Sequence, residues 1–251
     1  MDQQMVEHLE RRQLLSATVT YNEGKERLLI RGTDDLRTVV IVRLTENRKN
    51  LEVEIDGLPV DPTPGSPESV IIAKKRVRRI RVELGGGDDY VQIGVGDDPA
   101  QPDLGRNRLE IRAVISSGAG DDTVFGGAES DQVLAGPGDD TVFGGRRNDL
   151  ILGGSGDDVL IGHIGRDNLF GQDGNDRLEG GSSDDALYGM NGDDTLWGGI
   201  DDDFLNGGPG TNDLLDNTND QGIGEREAVN AYLDKLIKLS VPDELQAAAR
   251  L

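Results

Sequence analysis

Residues 117–215 predict an all-β fold, a parallel solenoid of short strands and glycine turns, on three observations. The segment divides without a gap into eleven nine-residue units: SGAGDDTVF, GGAESDQVL, AGPGDDTVF, GGRRNDLIL, GGSGDDVLI, GHIGRDNLF, GQDGNDRLE, GGSSDDALY, GMNGDDTLW, GGIDDDFLN and GGPGTNDLL. Position 8 is aliphatic in all eleven, and position 6 is Asp in ten, with Asn212 closing the series. The same segment holds 24 of the 36 glycines, so positive φ is available wherever a tight turn needs it. A fixed short period marks stacked structural repeats, and a solvated linker would not place an aliphatic residue at every ninth position.

Composition narrows the chemistry. Hydrophobic residues make up 35% and aromatics 4% of 251 residues, too few for an ordinary core of that size. Another device must hold the chain together. The 26 basic residues face 48 acidic ones, a net charge of -22, which excludes nucleic acid and anionic membrane as partners and favours cations. The excess is local: net -2 over residues 1–116, -17 over 117–215 and -3 over 216–251. Cysteine is absent, so neither disulfides nor thiolate metal sites serve. No apolar run approaches the roughly 18 residues of a membrane span.

Residues 1–17 lack the continuous apolar core of an ordinary signal peptide, so the export route is not evident. Their "EHLERRQLLSA" resembles a Leu-Glu-x-Arg-x-Leu-Leu-Ser motif of bacterial surface and calcium-binding repeat proteins. Residues 18–116 read as an irregular β region of six to eight strands, from "SATVTY", "RLLIRG", "TVVIVRL", "LEVEIDG", "SVIIAKK", "RIRVELG" and "RLEIRAVI". The turns at Asp34–Asp35 and Asp88–Asp89 rhyme with Asp121–Asp122, which points to wider coils of the same solenoid, a separate small β domain being the alternative. The proline-rich stretch from Asp56 to Ser69 reads as a surface loop.

Within the repeats, positions 7–9 read as a three-residue strand with its middle side chain inward, and positions 1–6 as a turn. Two units make one coil of 18 residues. Stacking at about 4.8 Å brings aspartates of units n and n+2 to a common gap. Two carboxylates and several turn carbonyls are all acceptors, so the gap needs a hard cation with six to eight oxygen ligands. Calcium fits, whereas zinc would seek histidine, of which the repeats offer only His163.

These units resemble the haemolysin-type (RTX) calcium-binding nonapeptide GGxGxDxUx. The resemblance implies a right-handed parallel β-roll with calcium between successive turns, held by the position 6 side chain and by turn carbonyls. On a first edge it implies Asp122, Asp140, Asp158, Asp176, Asp194 and Asn212, with backbone at Gly118, Gly120, Gly136, Gly138, Gly154, Gly156, Gly174 and Gly192. That edge has five gaps, and Asp89 against Asp122 offers a sixth. A second edge carries Asp131, Asp149, Asp167, Asp185 and Asp203. Position 4 is glycine throughout the first edge but Glu129, Arg147, Gly165, Ser183 and Asp201 on the second. Arg146, Arg147 and Arg166 there are expected to pair with Asp149 and Asp167 in place of a cation, so the second edge is expected to hold few ions.

Position 9 is apolar in nine of eleven units (Phe125, Leu134, Phe143, Leu152, Ile161, Phe170, Tyr188, Trp197, Leu215), an outward stripe able to dock the N-terminal region, another copy or a surface polymer. In residues 216–251, "GEREAVNAYLDKLIKL" sets Val229, Tyr232, Leu233, Leu236 and Ile237 on one face of a helix over about 224–239. It is read as a cap on the last coil. Catalytic signatures are lacking: no HExxH or GxSxG occurs, and His8 and His163 are the only histidines. Ten equivalent aspartates read as ligands, because general acid–base work needs one distinctive pair. The expected protein is a non-enzymatic, secreted or surface-associated calcium-binding β-roll with a structural or adhesive role. The alternative is a polysaccharide-acting enzyme with a shallow site on the N-terminal β region.

Overall fold

The computed structural model describes residues 17–22, 26–32, 37–44, 50–56, 68–73, 77–94 and 109–215. The segment 1–16, Asp34 and Asp35, the loop between residues 56 and 68, and the helix at about 224–239 therefore lie outside the described residues. No described helix is long and apolar enough to cross a membrane.

Each repeat folds as a strand followed by a turn, and alternate units feed two facing sheets. The first sheet takes β8 (Arg112–Ser116), β10 (Gln132–Pro137), β12 (Leu150–Ser155), β14 (Asn168–Asp173), β16 (Ala186–Asn191) and β18 (Phe204–Asn206), stacked in that order. The second takes β9 (Thr123–Gly127), β11 (Thr141–Arg146), β13 (Val159–Ile164), β15 (Arg177–Ser182), β17 (Thr195–Ile200) and β19 (Asp213–Leu215). All these pairs are parallel and shifted by one coil, as in Val133 beside Ile151 and Ile151 beside Leu169.

The same sheets continue into the N-terminal region. There β2 (Arg27–Gly32) and β6 (Arg79–Glu83) extend the first sheet in parallel to β8, while β3 (Val39–Leu44) and β7 (Tyr90–Ile93) lead in parallel to β9. These are wider coils of one solenoid. Antiparallel strands finish this end: β1 (Ala17–Asn22) against β2, and β4 (Asn50–Asp56) then β5 (Glu68–Ala73) beyond β3. The seven runs read as strands match β1 to β6 and β8. The eighth, "YVQI", was legible only as the flank of a Gly-Asp-Asp turn.

A single apolar column threads the solenoid from Val19 to Leu205. Position 8 supplies it: Val124, Val133, Val142, Ile151, Leu160, Leu169, Leu178, Leu187, Leu196 and Leu205 are buried, and only Leu214 in the last described strand is exposed. Thin strands thus place one aliphatic side chain per unit in the inner column, which explains how so few hydrophobic residues suffice.

The strands are longer than the three residues expected. Most run six residues, through positions 1–3 of the next unit, because those peptide groups also find partners in the neighbouring coil, as Gly136 does beside Gly154. The close approach favours glycine at position 2, and the three other residues there, His163, Gln172 and Met190, take positive φ of 79°, 90° and 82°. A Cβ on Gly154, whose φ is +136°, would lie 1.9 Å from the Gly136 carbonyl oxygen.

Position 9 divides between the sheets. On the first, Leu134, Leu152, Phe170 and Tyr188 are buried although they point away from the solenoid core. On the second, Phe125, Phe143 and Ile161 are half-buried and Trp197 and Leu215 exposed.

Candidate metal centre

The first-edge aspartates form one hydrogen-bonded column. The Asp122 N–H donates to Oδ1 of Asp140 at 2.8 Å, Asp140 to Asp158 at 2.8 Å, Asp158 to Asp176 at 2.9 Å and Asp176 to Asp194 at 2.9 Å. Asp194 donates to Oδ1 of Asn212 at 2.7 Å. The column extends beyond the repeats, because the Asp89 N–H reaches Asp122 at 2.7 Å and the Thr38 N–H reaches Asp89. The second edge repeats the pattern from the Ala113 N–H through Asp131, Asp149, Asp167, Asp185 and Asp203.

One oxygen of each carboxylate is thereby used and the other is not. Oδ2 of Asp89, Asp122, Asp140, Asp158, Asp176 and Asp194 on the first edge, and of Asp131, Asp149, Asp167 and Asp185 on the second, is buried with no hydrogen-bond partner. These atoms turn inward against the position 1 glycines. A Cβ on Gly171 would sit 2.0 Å from Oδ2 of Asp176, and one on Gly189 2.2 Å from Oδ2 of Asp194. Glycine at position 1 makes room for the carboxylate in nine of the eleven units, and Ser117 and Ala135 are the exceptions. The turn carbonyls stack as well: a Cβ on Gly118 would fall 2.0 Å from the Gly85 carbonyl, and one on Gly138 2.1 Å from that of Gly120.

Among the described residues no three carboxylate or imidazole side chains converge on one point. Along the first edge, aspartates of successive coils stack in one column, and the carbonyls of Gly118, Gly120, Gly136, Gly138, Gly156, Gly174 and Gly192 each lie close under the glycine of the next coil. Such a set suits a hard cation of high coordination number.

Burial without a counter-charge disfavours the ionised form. Desolvation raises Asp122 from an ordinary 3.8 to about 6, Asp89, Asp140 and Asp176 to about 7, and Asp158 to about 8, with neighbouring carboxylates adding to the shift. Asp194 is raised too. On the second edge burial takes Asp167 to about 7, Asp185 to about 8 and Asp149 to about 10, and lifts Asp131 well above the usual range. Each carboxylate needs a proton or a cation.

The sign of the pH dependence follows. With folded values above the unfolded 3.8, the folded state holds more protons, so this stabilisation is complete below about pH 4 and disappears as pH rises through about 6 to 8. A shift from 3.8 to about 7 corresponds to on the order of 4 kcal/mol for one group. In chelator, the roll is therefore expected to be more β-structured and more heat-resistant at pH 5 than at pH 8, by circular dichroism. A metal-free protein equally stable at both values would show that these carboxylates are not buried.

The arginines behave differently from expectation. Arg147 pairs with Glu129 at 3.3 Å and Arg166 with Asp184, both on the exposed outer rim, because positions 4 and 5 point outward while Asp149 and Asp167 point in. Oδ2 of those two aspartates is left without a hydrogen-bond partner. The glycine asymmetry does have a backbone counterpart: Arg147, Ser183 and Asp201 adopt positive φ of 68°, 86° and 87° at position 4 of the second edge.

Sequence reading missed a second ladder outside the first. At position 5, the Asp139 N–H donates to Oδ1 of Asp121, Asp157 to Asp139, Asn175 to Asp157 and Asp193 to Asn175. Its donors lie one coil further along than its acceptors, the reverse of the inner column. The recurring Asp-Asp pairs were the available signal.

A family model for the RTX calcium-binding nonapeptide repeat (4 copies) matches residues 116–151, 134–169, 143–178 and 179–214. No curated protein matches the chain.

Proposed function

Residues 116–214 being RTX calcium-binding nonapeptide repeats, we propose that the chain is a secreted or surface-associated structural protein whose roll folds as calcium fills its turns. The observation that carries this is the double row of buried Oδ2 atoms without hydrogen-bond partners, in turns whose glycine carbonyls stack from coil to coil. A cation between coils would be held by the aspartates of both coils and would neutralise charge that burial otherwise forces to protonate. Among the described residues the position 6 carboxylates recur in the same setting along each edge, which supports a ligand role over a catalytic one.

Calcium fills the first edge before the second. The first edge keeps glycine at every position 4, whereas the second carries strained non-glycine residues there. Asp149, raised to about 10, must also give up a proton that most first-edge aspartates hold less tightly. The gap between Asp194 and Asn212, with one carboxylate, is the weakest of the first edge.

A calcium titration with metal counting, followed by anomalous scattering from crystals grown in limiting calcium, tests this. The expected result is ions in the gaps from Asp89–Asp122 to Asp176–Asp194. Equal occupancy of both edges at limiting calcium would remove the first-edge preference, and no bound calcium at millimolar concentration would remove the function itself.

A further inference from the structure

The two turn edges of the solenoid carry opposite charge on their outer rims. On the first edge, position 5 and its equivalent in the wider coil set Asp88, Asp121, Asp139 and Asp157 in consecutive coils, all exposed. Each accepts a backbone N–H of the next coil through Oδ1, so one oxygen of every carboxylate serves the ladder. On the opposite edge the equivalent column begins with arginine. Arg27, Arg79 and Arg112 stand in register on β2, β6 and β8 and point outward, next to Leu28, Ile80 and Ala113 buried in the core. Arg79 and Arg112 are exposed and Arg27 is half-buried. These three strands hold five arginines and one carboxylate, Glu83, which pairs with Arg31 and Arg81. Among the described residues no ion pair joins Arg27, Arg79 or Arg112 to a carboxylate, although the charge of Arg112 reaches the buried Asp131. Position 5 of that rim continues as Ser130, Asn148 and Arg166, and its first acid is Asp184.

We infer that the arginine ladder of one molecule docks on the aspartate ladder of a second copy. Like charges side by side on neighbouring strands repel, so each ladder destabilises the molecule that carries it and is relieved by the other. Both repeat at the strand spacing of about 4.8 Å, so three guanidinium groups meet three successive carboxylates without a change of register. The occupant is a second copy because the chain itself supplies the complement, a roll of net -17 with exposed carboxylates in the matching period. The ladders lie on opposite edges, so one neighbour cannot engage both, and the contact propagates head to tail from copy to copy. Such a polar contact sets register and specificity more than affinity. It rests on the calcium-driven folding proposed above, since the carboxylates come into period only when the coils stack.

Sedimentation velocity of the full chain in millimolar calcium tests this, with circular dichroism of the same samples reporting the fold. The average mass is expected to rise with protein concentration and to return to that of one chain in about 1 M sodium chloride, where the Debye length is about 3 Å. R79Q/R112Q removes the basic ladder. D121N/D139N/D157N neutralises the acidic one and keeps its N–H acceptors, as Asn175 does in the same column. Each folded variant alone should associate at least about tenfold more weakly than the parent. An equal mixture of the two should form dimers and nothing larger, because a single complementary pair of ladders remains. A folded parent that stays monomeric at low salt, association that survives either variant, or a mixture that fails to dimerise would each overturn the inference. Retention of a monomeric parent on a sulfated polysaccharide column, lost in R79Q/R112Q, would assign the arginines to an external anionic polymer and overturn it too. A β signal indifferent to calcium would strike the folding reading alone, and salt-sensitive association in chelator would then still support the paired ladders.

Discussion

Chelation of calcium is expected to abolish the β signal of residues 117–215 in far-ultraviolet circular dichroism, and millimolar calcium to restore it. The segment carries a net -17, and each coil buries two carboxylates without counter-charge at neutral pH. Its core is one aliphatic side chain per unit, about 2 kcal/mol of burial for every nine residues ordered. Binding to the folded state alone adds stability: at a hundredfold excess over Kd each site contributes about 2.7 kcal/mol, and five sites on the order of 13. That matches the whole stability of an ordinary domain. Residues 18–116, nearly neutral and with longer strands, should keep more of their structure. An identical spectrum in chelator and in calcium would show that the roll stands without its ions.

Leu160→Asp should be the most damaging single substitution in the roll. Leu160 is fully buried in the inner column, between Val142 and Leu178 of the flanking coils. Losing its side chain costs about 2–5 kcal/mol, and burying a carboxylate away from both edges costs several more. No cation reaches the centre of the column to offset the charge. Calcium-induced folding is expected to fail or to require at least a tenfold higher calcium concentration, monitored by the same titration. A variant that titrates like the parent would mean that the aliphatic column does not hold the sheets together. Thr141→Asp, on the outer side of the neighbouring strand, should shift the midpoint far less.

What the sequence revealed follows from the period. A nine-residue repeat leaves one answer for which side chain faces inward, so the inner column, the two edges and the stacking of the position 6 aspartates were all legible. The wider N-terminal coils were legible only through their turns, since β2 and β6 are 52 residues apart and no period connects them. Two features were hidden because they depend on neighbouring coils. The strands lengthen through the glycines only when another coil stands beside them. The arginines were assigned to Asp149 and Asp167 by proximity in sequence, but adjacent positions of a turn point to opposite sides, and Arg147 and Arg166 find Glu129 and Asp184 at the rim. Burial of Phe170 and Leu152 was equally invisible, since nothing in the period distinguishes one sheet's outer face from the other's.

The opposed aspartate ladders have a kinetic consequence. Every finished coil presents an inner N–H in need of a carboxylate from the next coil and an outer carboxylate in need of its N–H, as at Asp158 and Asp157. A completed coil is a template, and the next 18 residues are its monomer. Growth then proceeds as a zipper, closing loops of 18 residues at each step and never a longer one. Over the 99 residues of the repeats that is a relative contact order of about 0.18, the range of all-β domains, so the zipper is expected to grow on the millisecond-to-second scale of such folds.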